Sequence, residues 1–249
     1  MKSLTAPRLL SVIIPNHNYG AFIAQAIESV FAQDYESIEL IVVDDGSTDN
    51  SLEVICETVR RPNRLTRIEV VALPKNAGKL AAMNVGLDYC VGEYCITLDA
   101  DDMLTPGYVS RSIRELLRAR TCNRAIGFVY SDCNLMGPDG EVVGHGKSTA
   151  FDPRLIERYS FIPEPAVTLM AAMREAAPFD ESIRKGTKHH KWRRIIANGW
   201  QGKHIAEPLF YYRMHGKNLS GIGNRVLDEI AGGHRGERIL SGYWPMQTR

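Results

Sequence analysis

Apolar residues follow two alternating rhythms along the first half of the chain. Continuous runs at residues 9–14, 39–43, 68–73 and 94–98 have strand length, and the first three are rich in Val and Ile. Between them apolar positions recur at three- and four-residue spacing: Ile23, Ala26, Ile27, Val30 and Phe31 after Gly20, then Leu52, Ile55 and Val59 after Asp49-Asn50, then Leu80, Met83, Leu87 and Val91 after Ala77. Asp49 or Asn50 can cap the second of these helices. Strands alternating with helices make βαβ units, so the pattern predicts an α/β fold with a mostly parallel central sheet and helices on both faces. Pro15 is expected to stop the first strand.

The second half is looser and predicts a smaller, mixed region. A helix is expected over 106–120, strands at 126–130, 141–143 and 208–213, and a helix at 188–198. Gly137-Pro138-Asp139-Gly140 reads as a turn, and 167–173 fits a strand or a buried helix equally well. No linker-like stretch or repeat divides the chain, which is expected to form one domain over 1–222. Within it a nucleotide-binding half covers about 8–120 and an acceptor half about 121–222, with 223–249 as a C-terminal tail too short for a second domain.

Parallel sheets bind ligands outside the carboxyl ends of their strands, where helix N-termini offer unpaired N–H groups. Polar clusters fall at three such ends: Pro15-Asn16-His17-Asn18-Tyr19, Asp44-Asp45, and Asp99-Ala100-Asp101-Asp102. Three carboxylates in four residues repel one another, and hard divalent cations take oxygen ligands of this kind. Taken alone, such a D-x-D is better explained as the cap of the helix entered near Thr105.

Co-occurrence changes that balance. The segments SVIIPNHNYGAFIAQAIESVFAQ, IELIVVDDGSTDNS and NAGKLAAMNVGLDYCVGEYCITLDADD, in this order, resemble the family 2 glycosyltransferases over about residues 9–115, and FDESI and PLFYYRMHGKNLS continue the likeness. The resemblance implies a GT-A (Rossmann-like) fold and an inverting transferase with a nucleoside-diphosphate sugar donor, UDP foremost, and Mn2+ or Mg2+ as cofactor. It places Pro15 and His17 in the loop lining the base pocket, gives Asp45 to the uracil N3–H or ribose, and brings Lys79 towards the nucleotide. Asp99 and Asp101 match the D-x-D, Asp99 towards the ribose or metal-bound water and Asp101 on the metal; His215, in the Tyr212-Arg213-Met214-His215 segment with Asn218 and Ser220, is a further metal or phosphate contact. A cation there stabilises the charge gained by the leaving diphosphate.

One departure bears on catalysis. Where the family carries an acidic pair whose Asp deprotonates the acceptor, this chain reads FDESIRKGTKHHKW: Gly186 and Trp192 align, but Thr187-Lys188 replace the acids and His190 a second Asp. An ordinary lysine, with a pKa of about 10.4, is protonated at neutral pH and a poor base. His189 or His190 is therefore the expected base, with Glu164 or Asp180 behind them. The alternative is a sugar-nucleotide-binding relative without turnover. A different α/β nucleotide binder is disfavoured, because neither G-x-G-x-x-G nor G-x-x-x-x-G-K-[ST] occurs.

Composition narrows partners and location. Thirty Lys+Arg against 29 Asp+Glu give a net charge of +1, without a field for nucleic acid. No apolar run reaches the ~20 residues of a membrane span, so no transmembrane segment is expected, though peripheral association with a membrane carrying a lipid-linked or saccharide acceptor is compatible. Five cysteines without a C-x-x-C fit a reducing, cytoplasmic setting.

Overall fold

The computed structural model of the chain describes residues 6–157, 160–215, 218, 236–239 and 245–248. The first half runs β1 (Ala6–Asn16), α1 (Ile23–Phe31), β2 (Ile38–Asp44), α2 (Ser51–Val59), β3 (Arg67–Ala72), α3 (Lys79–Tyr89) and β4 (Gly92–Thr97). It continues with β5 (Met103–Leu104), α4 (Tyr108–Cys122), β6 (Ile126–Met136), β7 (Val142–Gly146) and a 3-10 turn at Leu155–Glu157. Then come β8 (Ala166–Leu169), α5 (Met170–Ala176), α6 (Thr187–Ala197), β9 (Gln201–Arg213), β10 (Gly236–Ile239) and β11 (Pro245–Thr248).

One mixed sheet holds these strands in the order β10-β11-β7-β6-β8-β4-β1-β2-β3, with β9 beside β6 and β5 beside β9. The pairs β1–β2, β1–β4, β2–β3 and β6–β9 are parallel. Antiparallel β8 lies between β4 and β6 and joins the two halves into one α/β domain. Alternation along β1 splits the core. Leu10, Val12 and Ile14 pack with side chains of α1, α2 and α4 on one face, while Ile13 packs with those of α3, α5 and α6 on the other.

Pro15 does not stop β1, which continues to Asn16 opposite Asp44. The carbonyl of Ile13 faces β4, taking the Leu98 N–H, and that of Asn16 faces β2, taking the Asp45 N–H. Backbone groups of alternate residues point to opposite sides, so the position lacking its N–H at Pro15 faces the β4 side, where pairing has already ended at Ile13–Thr97. The ambiguous segment 167–173 is both things in turn, the end of β8 and the start of α5. Strands β10 and β11 fall in the expected tail and extend the sheet from β7.

Candidate functional site

The ends of β1, β2 and β4 converge because β1 is the shared parallel neighbour of the other two. His17 is held in the first loop by Nδ1, 2.8 Å from the Asp45 carbonyl, and Pro15 lies just beneath it in the sheet. Asp45 is buried, and its carboxylate oxygens accept the backbone N–H groups of Ala77 and Gly78 at 2.6 and 2.7 Å. Gly78 has φ +99°, the left-handed region that favours glycine, and immediately precedes α3. Asp45 therefore locks the β2 loop to the start of α3, and any contact with a base would use its remaining lone pairs.

Asp99, Asp101 and Asp102 follow β4, and one ligand atom from each lies within 4.8 Å of the others. Asp101 and Asp102 are buried and Asp99 is half-buried. Burial raises the pKa of Asp99 and Asp102, and the neighbouring carboxylates add to the rise. The chain return at the end of β9 closes the cluster: the Arg213 N–H donates to Asp102 at 3.0 Å and its Nε–H to the Asp101 carbonyl at 3.0 Å. His215 Nε2 lies 3.0 Å from Asp101 Oδ2, and the Asn218 amide 3.4 Å from the same oxygen. The other motif position, Ser220, lies outside the described residues. Crowded carboxylate oxygens with an adjacent imidazole are a donor set that suits a divalent cation, which would replace the proton shared by Asp101 and His215.

A basic wall faces these acids. Lys79, the first residue of α3, pairs with Asp99 and reaches to 3.4 Å from Glu164 Oε2. Glu164, 3% exposed, takes the ammonium of Lys191 on Oε1 at 2.5 Å. Lys191 is 1% exposed and its ammonium lies 4.4 Å from the centre of the Trp192 ring, whose indole N–H bonds the Pro163 carbonyl at 3.1 Å. Burial alone would raise the Glu164 pKa, but Lys191 and Lys79 outweigh it and hold it at about 2. Half-buried Lys188 has its ammonium pushed down to about 8 by burial, against the pull of Glu164 and Asp99.

The two histidines expected to serve as base point into a different space. His189 Nε2 bonds the Ile156 carbonyl and His190 Nε2 accepts the Asp180 N–H at 3.3 Å. Both line a surface groove of about 470 Å³ with Lys185, Arg193 and Arg194. Consecutive helical residues differ by about 100° in direction, so with Lys188 and Lys191 turned towards Glu164 the intervening positions turn away. Asp180 is exposed and closes its own turn onto Ser182. The structure thus brings together His17 with Asp45, and Lys79 with Asp99, Asp101 and His215. Sequence reading gave no role to Lys191 or to Tyr19, whose phenol pKa is raised by burial and by Asp101 and Asp99. The Lys191 signal, a lysine in a helix position four before the buried Ile195, becomes legible only once Glu164 is known to face it.

Comparisons with known proteins agree with this architecture. The model of the family described as "Glycosyl transferase family 2" matches residues 11–135. An uncharacterised glycosyltransferase of Nostoc sp. is 40% identical over 231 residues, covering 84% of this chain and 66% of that protein. The chondroitin synthase of Pasteurella multocida is 26% identical, over 85% of this chain but 21% of its own length. The chain therefore spans two thirds or less of these relatives. Among solved structures, S. aureus TarS 1-349 in complex with UDP-GlcNAc superposes with a TM-score of 0.65 at 21% identity, covering 85% of this chain and 60% of that one. The mannosyltransferase PcManGT of Pyrobaculum calidifontis, in complex with GDP-Man and Mn2+, gives 0.64 at 18% identity over 86% and 59%. The fold is that of the GT-A glycosyltransferases, and the chain belongs to glycosyl transferase family 2.

Proposed function

We propose that the chain is a metal-assisted, inverting transferase that moves a sugar from a nucleoside diphosphate, UDP foremost, to an acceptor hydroxyl. The observation that carries this reading is the carboxylate cluster at the end of β4, with His215 against Asp101 and Lys79 against Asp99. Asp101 with His215 would hold Mn2+ or Mg2+, which would neutralise the charge gathering on the leaving diphosphate. Lys79 would add a fixed positive charge on the same group, Asp99 would face the ribose, and His17 with Asp45 would meet the base. Solved neighbours whose complexes contain UDP-GlcNAc, or GDP-Man with Mn2+, support a site of this class. The acceptor class we assign is a saccharide or lipid-linked saccharide of the cell surface, met from the cytoplasmic side. Five unpaired cysteine thiols support that compartment, and no described helix is long and apolar enough to cross a membrane.

Calorimetry with UDP, GDP and ADP, with and without Mn2+, tests the reading. UDP is expected to bind best and only weakly without metal, and Asp101→Ala should abolish the metal-dependent part while the protein stays folded. Undiminished metal-dependent affinity in that variant removes Asp101 from the site. A second reading, a binding protein without turnover, rests on Lys188 standing where the family has its acid.

A further inference from the structure

We propose that Glu164, on the segment leading into β8, accepts the proton of the attacking hydroxyl in place of the acid that α6 lacks. The inference rests on the transferase reading above and names a catalytic residue for it. Lys188 occupies the position of the missing acid, and the negative charges acting on it most strongly are Glu164 and Asp99. Glu164 is held against the same helix by Lys191, whose ammonium lies 2.5 Å from its Oε1 one turn further along α6, so a carboxylate from across the fold meets the helix that lacks its acid.

The two oxygens of Glu164 are not equivalent. Oε1 is taken by Lys191, whereas Oε2 is buried and accepts no hydrogen bond, although the Lys79 ammonium is 3.4 Å away. Its charge is balanced by Lys79 and Lys191, so what Oε2 lacks is a hydrogen-bond donor, which a substrate hydroxyl would supply. Its position also suits the chemistry: Lys79 spans from Glu164 to Asp99, so Oε2 lies one side chain away from the cluster that would hold the diphosphate. In the step inferred here the hydroxyl gives its proton to Oε2 while its oxygen bonds the anomeric carbon. The bond from that carbon to the diphosphate oxygen breaks, and its electron pair leaves with the nucleoside diphosphate.

The charged groups facing Glu164 are Lys79 of α3, Lys188 and Lys191 of α6, and Asp99 after β4. The lysines keep Glu164 ionised throughout the neutral range and also make it a weak base, so the proton moves late, once the forming bond has made the hydroxyl acidic. His189, His190 and Asp180 have their hydrogen bonds elsewhere.

The test compares the parent with Glu164→Gln, Glu164→Asp and the double variant Glu164→Gln with Lys188→Asp, using a panel of UDP- and GDP-sugars with Mn2+ and a panel of mono- and oligosaccharides as acceptors. Donor affinity is read by calorimetry, turnover by release of free nucleoside diphosphate, and folding by thermal melting. The parent should bind and turn over, with kcat flat from about pH 6 to 8. Glu164→Gln should keep donor affinity and lose about a hundredfold or more in kcat, and the double variant, with an acid back on α6, should recover part of that loss. If Glu164→Gln fails to fold, Glu164→Asp keeps the charge and should still lose at least about tenfold in kcat. Full turnover in a folded Glu164→Gln or Glu164→Asp overturns the inference. So does a parent that binds donor but releases nothing, or a kcat that climbs with pH through about 8, which would mark Lys188 as the base. A parent that binds no nucleotide at all instead removes the transferase reading beneath it.

Discussion

At the scale of single residues the site is a set of charges under tension, and Lys188 carries the clearest consequence. Its pKa falls from 10.5 to about 8 on folding because burial disfavours the ammonium. Below pH 8 it is protonated in both states, and the folded state bears a penalty of roughly 3 kcal/mol, at 1.36 kcal/mol per unit. Between pH 8 and 10.5 the unfolded chain binds more protons, so stability rises with pH. Lys188→Met is therefore expected to raise the urea midpoint at pH 7, with the advantage shrinking above pH 8 and gone by about 10.5. An unchanged or lower midpoint at pH 7 would mean that the attraction of Glu164 and Asp99 outweighs the cost of burying the ammonium. Glu164 has the opposite sign: its pKa drops from 4.5 to about 2, so its contribution is complete above pH 4.5 and lost as pH falls through 2. Asp45 acts through its bonds to Ala77 and Gly78. Asp45→Ala should cost roughly 3–6 kcal/mol in denaturant unfolding, since it removes two hydrogen bonds to a charged group, each worth about 1.5–3 kcal/mol. A loss below the error of that measurement would show that the α3 entry does not need this anchor.

At the scale of elements, α3 sets the geometry of the site, since it carries Lys79 and starts where Asp45 holds it. It lies close over β1: a Cβ on Gly86 would come 2.6 Å from Ile13 Cγ2. Alanine at a helical glycine gains roughly 0.5–1 kcal/mol in propensity, whereas overpacking costs typically 1–3 kcal/mol. Gly86→Ala should thus be net destabilising by about 1 kcal/mol and displace Lys79; a raised melting temperature would show that the contact yields easily. The elements of the first half were legible because each has a single period and a short turn. In the second half, β6 runs on through Ser131, Asp132 and Asn134 to Met136, well past the expected 130, because β9 and β7 pair with residues that no apolar run would include. Two-residue β5 exists only through its pairing with β9. The same limit applies to the site. Asp99, Asp101 and Asp102 are neighbours in sequence, and the loss of the acidic pair at Thr187-Lys188 was equally visible. Glu164 with Lys79, Lys188 and Lys191 is assembled from three distant segments, so its arrangement could not be read from spacing.

At the scale of the molecule, the halves expected to serve nucleotide and acceptor share one sheet. β8 of the second half pairs with β4 of the first, and β9 returns to place Arg213 and His215 on the acidic cluster. Melting one half would strip a strand from the other and leave buried carboxylates without their donors, so the described fold should unfold as one cooperative unit. That couples the site to global stability. A ligand at 100 times its dissociation constant adds about 2.7 kcal/mol, and a chain of 249 residues responds with about 2–4 °C per kcal/mol. Saturating UDP with Mn2+ should therefore move a single transition upward by roughly 5–11 °C, and UDP without metal by much less. Asp101→Ala should show the same single transition with little shift from the pair. Two transitions of which UDP with Mn2+ moves only one would mean that the halves melt separately, and that the β4–β8 pairing does not carry binding at the cluster into the rest of the sheet.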